Sequence, residues 1–218
     1  MVFKLFNIKL EFYRQEKVMR FIESILYKEG VYQNLDLHQS RMDQTFQKFM
    51  PEIASHDLGK ILPNLQLEGT YKVRVVYDAD TEDADYDLEF IEYFPRKVSS
   101  LEIVETAPFD YSYKFEDRRK IDQMMHRRKA DDIIIAIKGN VTDGSYFNLA
   151  FWDGENWYTP ATPLLRGVRR AQLLNEGKIK EAPIHVTDID AFEKVSLINA
   201  MLGLGDLELS CKEIRNLT

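Results

Sequence analysis

The chain has little cysteine and fewer basic than acidic residues, and both facts limit what it can be. Its 218 residues include a single cysteine, Cys211, which excludes an intramolecular disulfide and a cysteine-built zinc site. Lys and Arg number 29 against 36 Asp and Glu, and the resulting net charge of −7 argues against a nucleic-acid-binding protein. No apolar run approaches the roughly 20 residues of a membrane span, and no basic segment leads into an apolar one, so we expect a cytoplasmic protein.

Several catalytic signatures are also missing. The four histidines, at positions 38, 56, 126 and 185, do not have the H-E-x-x-H spacing of a zinc hydrolase. The sequence contains no P-loop, no G-x-S-x-G motif and no G-x-G-x-x-G motif. It has no repeat with a period of 20–50 residues and no low-complexity tract. With 44% hydrophobic residues, the chain can form one large domain or two small ones.

Apolar periodicity predicts an N-terminal unit of mostly antiparallel strands with one helix. The helix covers residues 34–50, because Leu35, Met42 and Phe46 fall at helical spacing and Pro51 ends it. The boundary is predicted at residues 106–108, which divides the chain into a small α/β domain, 1–107, and a second domain, 108–218. Predicted strands cover residues 3–6, 8–12, 21–27, 71–78, 86–94 and 101–104, and the acidic segment 79–85 fits a solvated hairpin tip better than a calcium loop.

The second half alternates helical patterns with short strands. A polar helix is predicted over 117–129, and the run Ile133–Ile137 predicts a buried strand that turns at 138–140 into residues 141–143. Asp188 is predicted to cap a helix that begins there. The other predicted elements are strands at 149–152, 157–159, 195–201 and 207–214, and a helix that follows the loop at 160–167 and ends near residue 175.

Two polar residues of the second half have a spacing that suits one kind of chemistry. Lys114 follows an aromatic segment, 109–113, and Asp143 lies at the end of the predicted strand pair. An amine can act as a nucleophile while a carboxylate holds a protonated ring nitrogen. On spacing alone, a surface lysine and a turn aspartate are the simpler interpretation. The predicted helix start at Gly167 offers free N–H groups to an anion, or is an ordinary loop-to-helix connection.

A series of short motifs, in one order along the chain, resembles the class IV aminotransferases, the fold-type IV enzymes that use pyridoxal phosphate (PLP). The resemblance implies an α+β, two-domain fold like that of D-amino acid aminotransferase, with a C-terminal pseudo-barrel domain, and a homodimer. The matching stretches are 21–25 (F-E-T-I), 37–42 (H-x-x-R-L), 113–118 (K-x-x-x-R, as in the lyase-like branch), 131–148 (ending T-E-x-S-x-x-N), 163–170 (P-L-L-x-G-x-x-R) and 199–201 (N-A-L/M).

The resemblance also implies a role for each matching residue. Lys114 would condense with the aldehyde of PLP and then move the substrate α-proton, which requires an amine that is neutral near pH 7. Asp143 would pair with the pyridine nitrogen. The phosphate would be bound by Arg41, by the N–H groups of Gly167, Val168 and Arg169, and by a turn at Asn199 and Ala200.

The sequence departs from the family pattern in three places. Asp143 stands where the family usually has Glu, and Arg169 stands where many members have Thr. The D-R-G-x-x-x-G-D-G run before the F-E-T-I strand is absent, and residues 14–20 replace it. The substrate carboxylate pocket is not fixed by the motifs. Tyr32 and Arg74 are guesses at it and do not belong to the predicted site.

Three functions fit the resemblance. The first is 4-amino-4-deoxychorismate lyase, which gives p-aminobenzoate and pyruvate in folate biosynthesis, and the short chain and the segment Lys114–Arg118 favour it. The second is an aminotransferase acting on a branched-chain or D-amino acid, which would use the same residues. The third is a non-catalytic relative of the fold, suggested by the shortened N-terminal part, which lacks the D-R-G-x-x-x-G-D-G run.

Overall fold

The computed structural model of the chain describes residues 19–78 and 86–216. Within these ranges it contains three β-sheets, four α-helices and two short 3-10 helices. The strands predicted at 3–6 and 8–12, and the acidic turn at 79–85, lie outside the described residues.

The first sheet is antiparallel, has the strand order β2-β1-β3-β4, and is covered on one face by helix α1. The strands predicted at 21–27, 71–78 and 86–94 and the helix predicted at 34–50 are confirmed, while the short helix α2 was not predicted. The elements are β1 (Arg20–Lys28), β2 (Val31–Tyr32), α1 (Leu35–Phe49), α2 (Leu58–Ile61), β3 (Thr70–Asp78) and β4 (Tyr86–Glu92).

The second sheet has the order β13-β5-β6-β7, and its central pair, β5 and β6, is parallel. Strand β5 (Leu101–Glu105) was predicted in the right place but was grouped with the N-terminal unit. This grouping is wrong, because β5 pairs with β6 (Asp132–Ile137) rather than with the first sheet. The division of the chain at residues 106–108 stays a prediction. The remaining elements here are α3 (Arg119–Arg127), β7 (Asn140–Gly144) and β13 (Ile214–Asn216).

The third sheet has the order β10-β9-β8-β11-β12 and brings together strands that are distant in sequence. The strands predicted at 149–152 and 157–159 are confirmed, and they pair with each other as the antiparallel strands β8 and β9. Helix α4 follows the loop after β9 as predicted. The elements are β8 (Asn148–Trp152), β9 (Trp157–Pro160), α4 (Val168–Asn175), β10 (Lys180–Ala182), β11 (Lys194–Ile198) and β12 (Glu208–Ser210).

The apolar run of β6 is explained by its position between two hydrophobic clusters. Ile134 packs into the core between the second and third sheets, together with Leu149 and Leu197. Its neighbours Ile133 and Ile135 point the other way, into a cluster that includes the apolar side of α3. A strand covered on both faces is apolar at every position instead of alternating, which is why the sequence reads as one continuous run.

Two predictions near the C-terminus are wrong. The 3-10 helix Val186–Ala191 is capped by His185, whose side chain accepts from Thr187 N, while Asp188 accepts from His185 N. The predicted last strand, 207–214, is split by the 3-10 helix Cys211–Glu213. This turn directs β12 into the third sheet and β13 into the second, so one stretch of chain contributes to two sheets.

Candidate active site

A cavity of about 570 Å³ is lined by residues from all three sheets. One wall comes from β1 and β3, and another from β7, the start of α4 and the turn after β11. Arg169 does not line the cavity with the other predicted site residues. Those that do are Arg41, Lys114, Asp143, Gly167, Val168, Asn199 and Ala200.

Lys114 is held against the edge of β1 by its own backbone. Its carbonyl oxygen accepts a hydrogen bond of 2.9 Å from Ile22 N, and the next residue, Phe115, packs its ring 5.1 Å from that of Phe21. Burial, followed by the positive charge of Arg41, lowers the pKa of the amine to about 7. A substantial fraction of the amine is therefore neutral near pH 7, as nucleophilic and proton-transfer chemistry requires.

A buried carboxylate, Glu23, lies behind the cavity and binds two residues of α1. It accepts from Arg41 Nε at 2.8 Å and Arg41 Nη2 at 2.5 Å, and it contacts His38 Nδ1 at 2.5 Å. Burial alone would raise the pKa of Glu23, but Arg41 and His38 more than offset it and hold that pKa below its usual range. The pair fixes the direction of the Arg41 guanidinium, which keeps further N–H donors beyond those given to Glu23.

Sequence analysis missed Glu23, although the strand contained a signal for it. Phe21, Ile25 and Tyr27 alternate on the core face of β1, and Glu23 lies in phase with them. A charged residue at a core position requires a buried partner. Here the partner is Arg41, 18 positions away in sequence.

Asp143 is buried at the end of β7 and faces the cavity. Its carboxylate accepts from Asn148 Nδ2 at 2.7 Å and from Leu165 N at 2.8 Å. Burial outweighs these hydrogen bonds and raises the pKa of Asp143 to about 7. A cation in the cavity next to this carboxylate would stabilise its charged form, so the site fits a protonated ring nitrogen.

The start of α4 and the turn after β11 lie side by side. Helix α4 begins at Val168 without a side-chain cap, which leaves first-turn N–H groups free for an anion. The guanidinium of Arg169 donates to the carbonyl oxygens of Asn199 at 3.4 Å and Ala200 at 3.2 Å. Its side chain therefore supports the turn and does not line the cavity, while the role of its backbone N–H stays a prediction.

Gly167 is required by close packing and not by its backbone angles. Its φ of −68° suits any residue, but a Cβ atom there would lie 2.0 Å from Asn148 Oδ1. Asn148 in turn donates to Asp143 and, at 2.8 Å, to the carbonyl of Leu165. The glycine thus lets the start of α4 approach β8, whose Asn148 holds the Asp143 carboxylate.

Two further cavity residues were not singled out from the sequence. Arg118 donates to Ser145 O at 2.7 Å, and its guanidinium lies 3.6 Å from the centre of the Tyr146 ring. The hydroxyl of Ser145 is buried and lines the cavity, with no hydrogen-bond partner in the part of the chain that the structure describes. Both residues lie inside motifs that were matched to the family, which is the signal that could have identified them.

The two guesses at a substrate carboxylate pocket are not supported by the geometry. Tyr32 does not line the cavity, and its hydroxyl donates to Pro63 O at 2.7 Å. Arg74 does line it, but its guanidinium is already paired with Glu89 at 2.9 Å and Glu116 at 3.0 Å.

Comparison with known proteins decides the family. The sequence model of the class IV amino-transferases matches residues 20–207. The chain belongs to the class IV aminotransferase family. A Haemophilus influenzae protein of unassigned function is 35% identical over 187 residues, which cover 84% of this chain and 97% of that protein. The predicted family and fold class are confirmed, as is the prediction of an enzyme of this PLP-dependent family.

Solved structures are also similar to this chain. A Haemophilus somnus protein, provisionally assigned as a 4-amino-4-deoxychorismate lyase, is 34% identical with a TM-score of 0.79, covering 85% of this chain and 98% of that one. A Mycobacterium tuberculosis aminotransferase of hypothetical assignment, solved with PLP bound, is 16% identical with a TM-score of 0.71. It covers 91% of this chain and 83% of the other, and at this identity the likeness shows the fold alone. No helix among residues 19–78 and 86–216 is long and apolar enough to cross a membrane.

Proposed function

We propose that this chain binds PLP and acts as a 4-amino-4-deoxychorismate lyase. The observation that carries the proposal is the presence, in one cavity, of a lysine and an aspartate whose pKa values are both displaced to about 7. Opposite displacements of an amine and a carboxyl are typical of acid–base sites.

The residues present fit PLP. Lys114 would join the aldehyde, Asp143 would face the ring nitrogen, and Arg41 would contribute its remaining donors to the phosphate. The N–H groups of Gly167, Val168 and Arg169, and the turn at Asn199 and Ala200, would surround the phosphate from the other side. The cationic surroundings of Lys114, which include Arg41 and Arg118, agree with an anionic cofactor.

When bound, PLP would supply an electron-poor ring that accepts the electron pair left at the substrate carbon. Asp143, as a carboxylate, would keep the ring nitrogen protonated. The neutral amine of Lys114 would remove the proton from the carbon that bears the substrate amino group. In the lyase reaction, loss of this proton would be coupled to cleavage of the bond between the ring carbon and the oxygen of the three-carbon side chain, so that the ring becomes aromatic as p-aminobenzoate. The three-carbon unit would leave as the enol form of pyruvate and take up a proton at its CH2 carbon to give pyruvate.

Two observations favour the lyase over an aminotransferase. The segment Lys114–Arg118 resembles that of the lyase-like branch, and Arg118 lies in the cavity. The Haemophilus somnus relative, at 34% identity, carries a provisional lyase assignment. An aminotransferase would use the same residues of this chain and is tested in the same experiment.

The test measures p-aminobenzoate release from 4-amino-4-deoxychorismate by purified protein saturated with PLP. The wild type should release it, and Lys114→Ala should lose at least about 100-fold in rate. Borohydride reduction should attach the cofactor to Lys114 of the wild type and not to the variant, as read by peptide mass. Lys120→Ala, on the exposed side of α3, is the control.

If the protein forms keto acids from an amino-acid panel and releases no p-aminobenzoate, its function is that of an aminotransferase and not of a lyase. Absence of both activities, together with no reducible adduct on Lys114, would defeat the whole proposal and leave a non-catalytic relative.

We further propose a cytoplasmic homodimer, on the family resemblance. Light scattering should give twice the chain mass of 25.6 kDa. A mass of one chain for the PLP-saturated protein would contradict it.

A further inference from the structure

The cationic side chains on the cavity wall differ in whether a protein carboxylate pairs with them. Of the six cationic side chains that line the cavity, four contact carboxylates: Arg41 contacts Glu23, Arg74 contacts Glu89 and Glu116, Arg96 contacts Asp132, and Arg118 contacts Asp122. Lys72 also lines the cavity, yet its amine makes no hydrogen bond or ion pair with any residue that the structure describes. The other lining amine, Lys114, has a pKa lowered to about 7, so Lys72 is the ordinary cation on this wall that no carboxylate of the described residues pairs.

The strand geometry directs Lys72 into the cavity. On β3, Val73 and Val75 belong to the core beneath α1, so Lys72 and Arg74 lie on the opposite face. Arg74 pairs in register with Ser24 of β1, and Lys72, Arg74 and Ser24 all line the cavity. Lys72 thus belongs to the β1–β3 wall, whereas the predicted phosphate donors are on α1, on α4 and in the turn after β11.

Lys72 also acts electrostatically on the reacting amine. After burial and the larger effect of Arg41, the charges of Arg118 and Lys72 contribute to the low pKa of Lys114. A cation near the reactive group and outside the phosphate side of the cavity is placed to attract a negatively charged part of the substrate.

We propose that Lys72 binds a substrate carboxylate remote from the reacting amino group and so selects dicarboxylate substrates. The inference rests on the proposed function, because 4-amino-4-deoxychorismate carries two carboxylates. One lysine–carboxylate contact in a partly buried site suffices for strong selection, since hydrogen bonds to charged groups change affinity by about 10- to 100-fold. Lys72 is a better candidate than Arg74 for this contact, because the Arg74 guanidinium is already paired with Glu89 and Glu116.

The experiment measures binding of chorismate, a dicarboxylate that has a hydroxyl group in place of the amine and so cannot react through nitrogen. Calorimetry on PLP-saturated protein gives the Kd for the wild type, Lys72→Met, Lys72→Arg and Lys97→Met. Lys97 is exposed and does not line the cavity, so its replacement removes the same charge from the chain but not from the wall.

We expect Lys72→Met to weaken chorismate binding by about 10- to 100-fold. Lys72→Arg should remain within about threefold of the wild type, since a cation is kept, and Lys97→Met should be unchanged. In the reaction with 4-amino-4-deoxychorismate, Lys72→Met should raise KM more than it lowers kcat.

Equal Kd values for the wild type and Lys72→Met would overturn the inference, as would equal weakening by Lys97→Met or no chorismate binding by the wild type. The lyase proposal is judged separately by p-aminobenzoate release. Chorismate binding that depends on Lys72, in a protein without lyase activity, would support the inference and defeat the proposed function.

Discussion

The buried carboxylate of Glu23 controls two cations of the site. It holds Arg41 through two hydrogen bonds, and its negative charge opposes the other effects that lower the pKa of Lys114. Arg41 is itself buried beside this partner, and the ion pair raises its pKa. The pKa of Lys114 therefore depends on a residue that does not line the cavity.

Glu23→Gln should destabilise the protein and lower the pKa of Lys114 further. The substitution leaves the charge of Arg41 buried without a counter-charge, which costs about 3 to 5 kcal/mol in comparable buried pairs. Removing a negative charge near the amine favours its neutral form. Urea unfolding measures the loss of stability, and the pH dependence of PLP condensation measures the pKa. Exposed Glu68→Gln is the control, and an unchanged pKa of Lys114 in Glu23→Gln would refute the electrostatic role.

Among the elements, the contact between α4 and β8 links the two halves of the predicted cofactor site. Gly167 at the start of α4 contacts Asn148 of β8, and Asn148 donates to Asp143. Arg169 in the first turn of α4 holds the carbonyl groups of the turn after β11. A small shift of α4 would thus move the predicted phosphate donors and the Asp143 carboxylate together.

Gly167→Ala should weaken PLP binding by about tenfold or more, because overpacking of this kind costs about 1 to 3 kcal/mol. The new Cβ would overlap Asn148 Oδ1 at 2.0 Å and force Asn148 away from Asp143. Fluorescence titration with PLP measures the Kd. Gly59→Ala is the control, since its Cβ would meet only the flexible Asp57 side chain at 3.2 Å. PLP affinity equal to that of the wild type would show that the contact can relax.

At the scale of the whole molecule, the packing of the three sheets buries Asp143 beside the cavity. This burial makes the free energy of unfolding depend on pH. Burial raises the pKa of Asp143 from 3.8 to about 7, so the folded protein binds a proton there that the unfolded chain has already released. The stabilisation from this proton is fully present below pH 3.8 and is lost as pH rises through 7.

The free energy of unfolding of the PLP-free wild type should therefore fall, relative to Asp143→Asn, as pH rises from about 4 to 7. The change expected from a shift of this size is on the order of 2 to 4 kcal/mol. Urea unfolding at a series of pH values gives the difference, in which groups that titrate alike in both proteins cancel. Exposed Asp190→Asn serves as control. A difference between wild type and Asp143→Asn that stays constant across this range would contradict the displaced pKa.

Sequence patterns predicted most elements, because helical and strand periodicity are local properties of the chain. The predictions failed where the outcome depended on distant partners. The periodicity of β5 gave its position, but only its pairing with β6 shows which sheet it joins. Likewise, the last strand was predicted as one piece because nothing local reveals that its two halves join different sheets.

The candidate site was predicted unevenly for the same reason. Lys114 and Asp143 were found because motif order along the chain brought them into one family pattern. Lys72 was passed over, because alternation in β3 separates two faces without showing which one lines a cavity. Arg74 was considered instead, and only the ion pairs with Glu89 and Glu116 show that its charge is already matched.

By itself, the sequence determined the family, the main elements and the residue types available for the chemistry, since these follow from local periodicity and the order of short motifs. The tertiary structure alone decided which residues meet. Glu23 reaches Arg41, and Gly167 makes room for Asn148, through contacts between separate elements. The displaced pKa values of Lys114 and Asp143 also depend on the folded chain, because burial and neighbouring charge arise only when distant segments pack together.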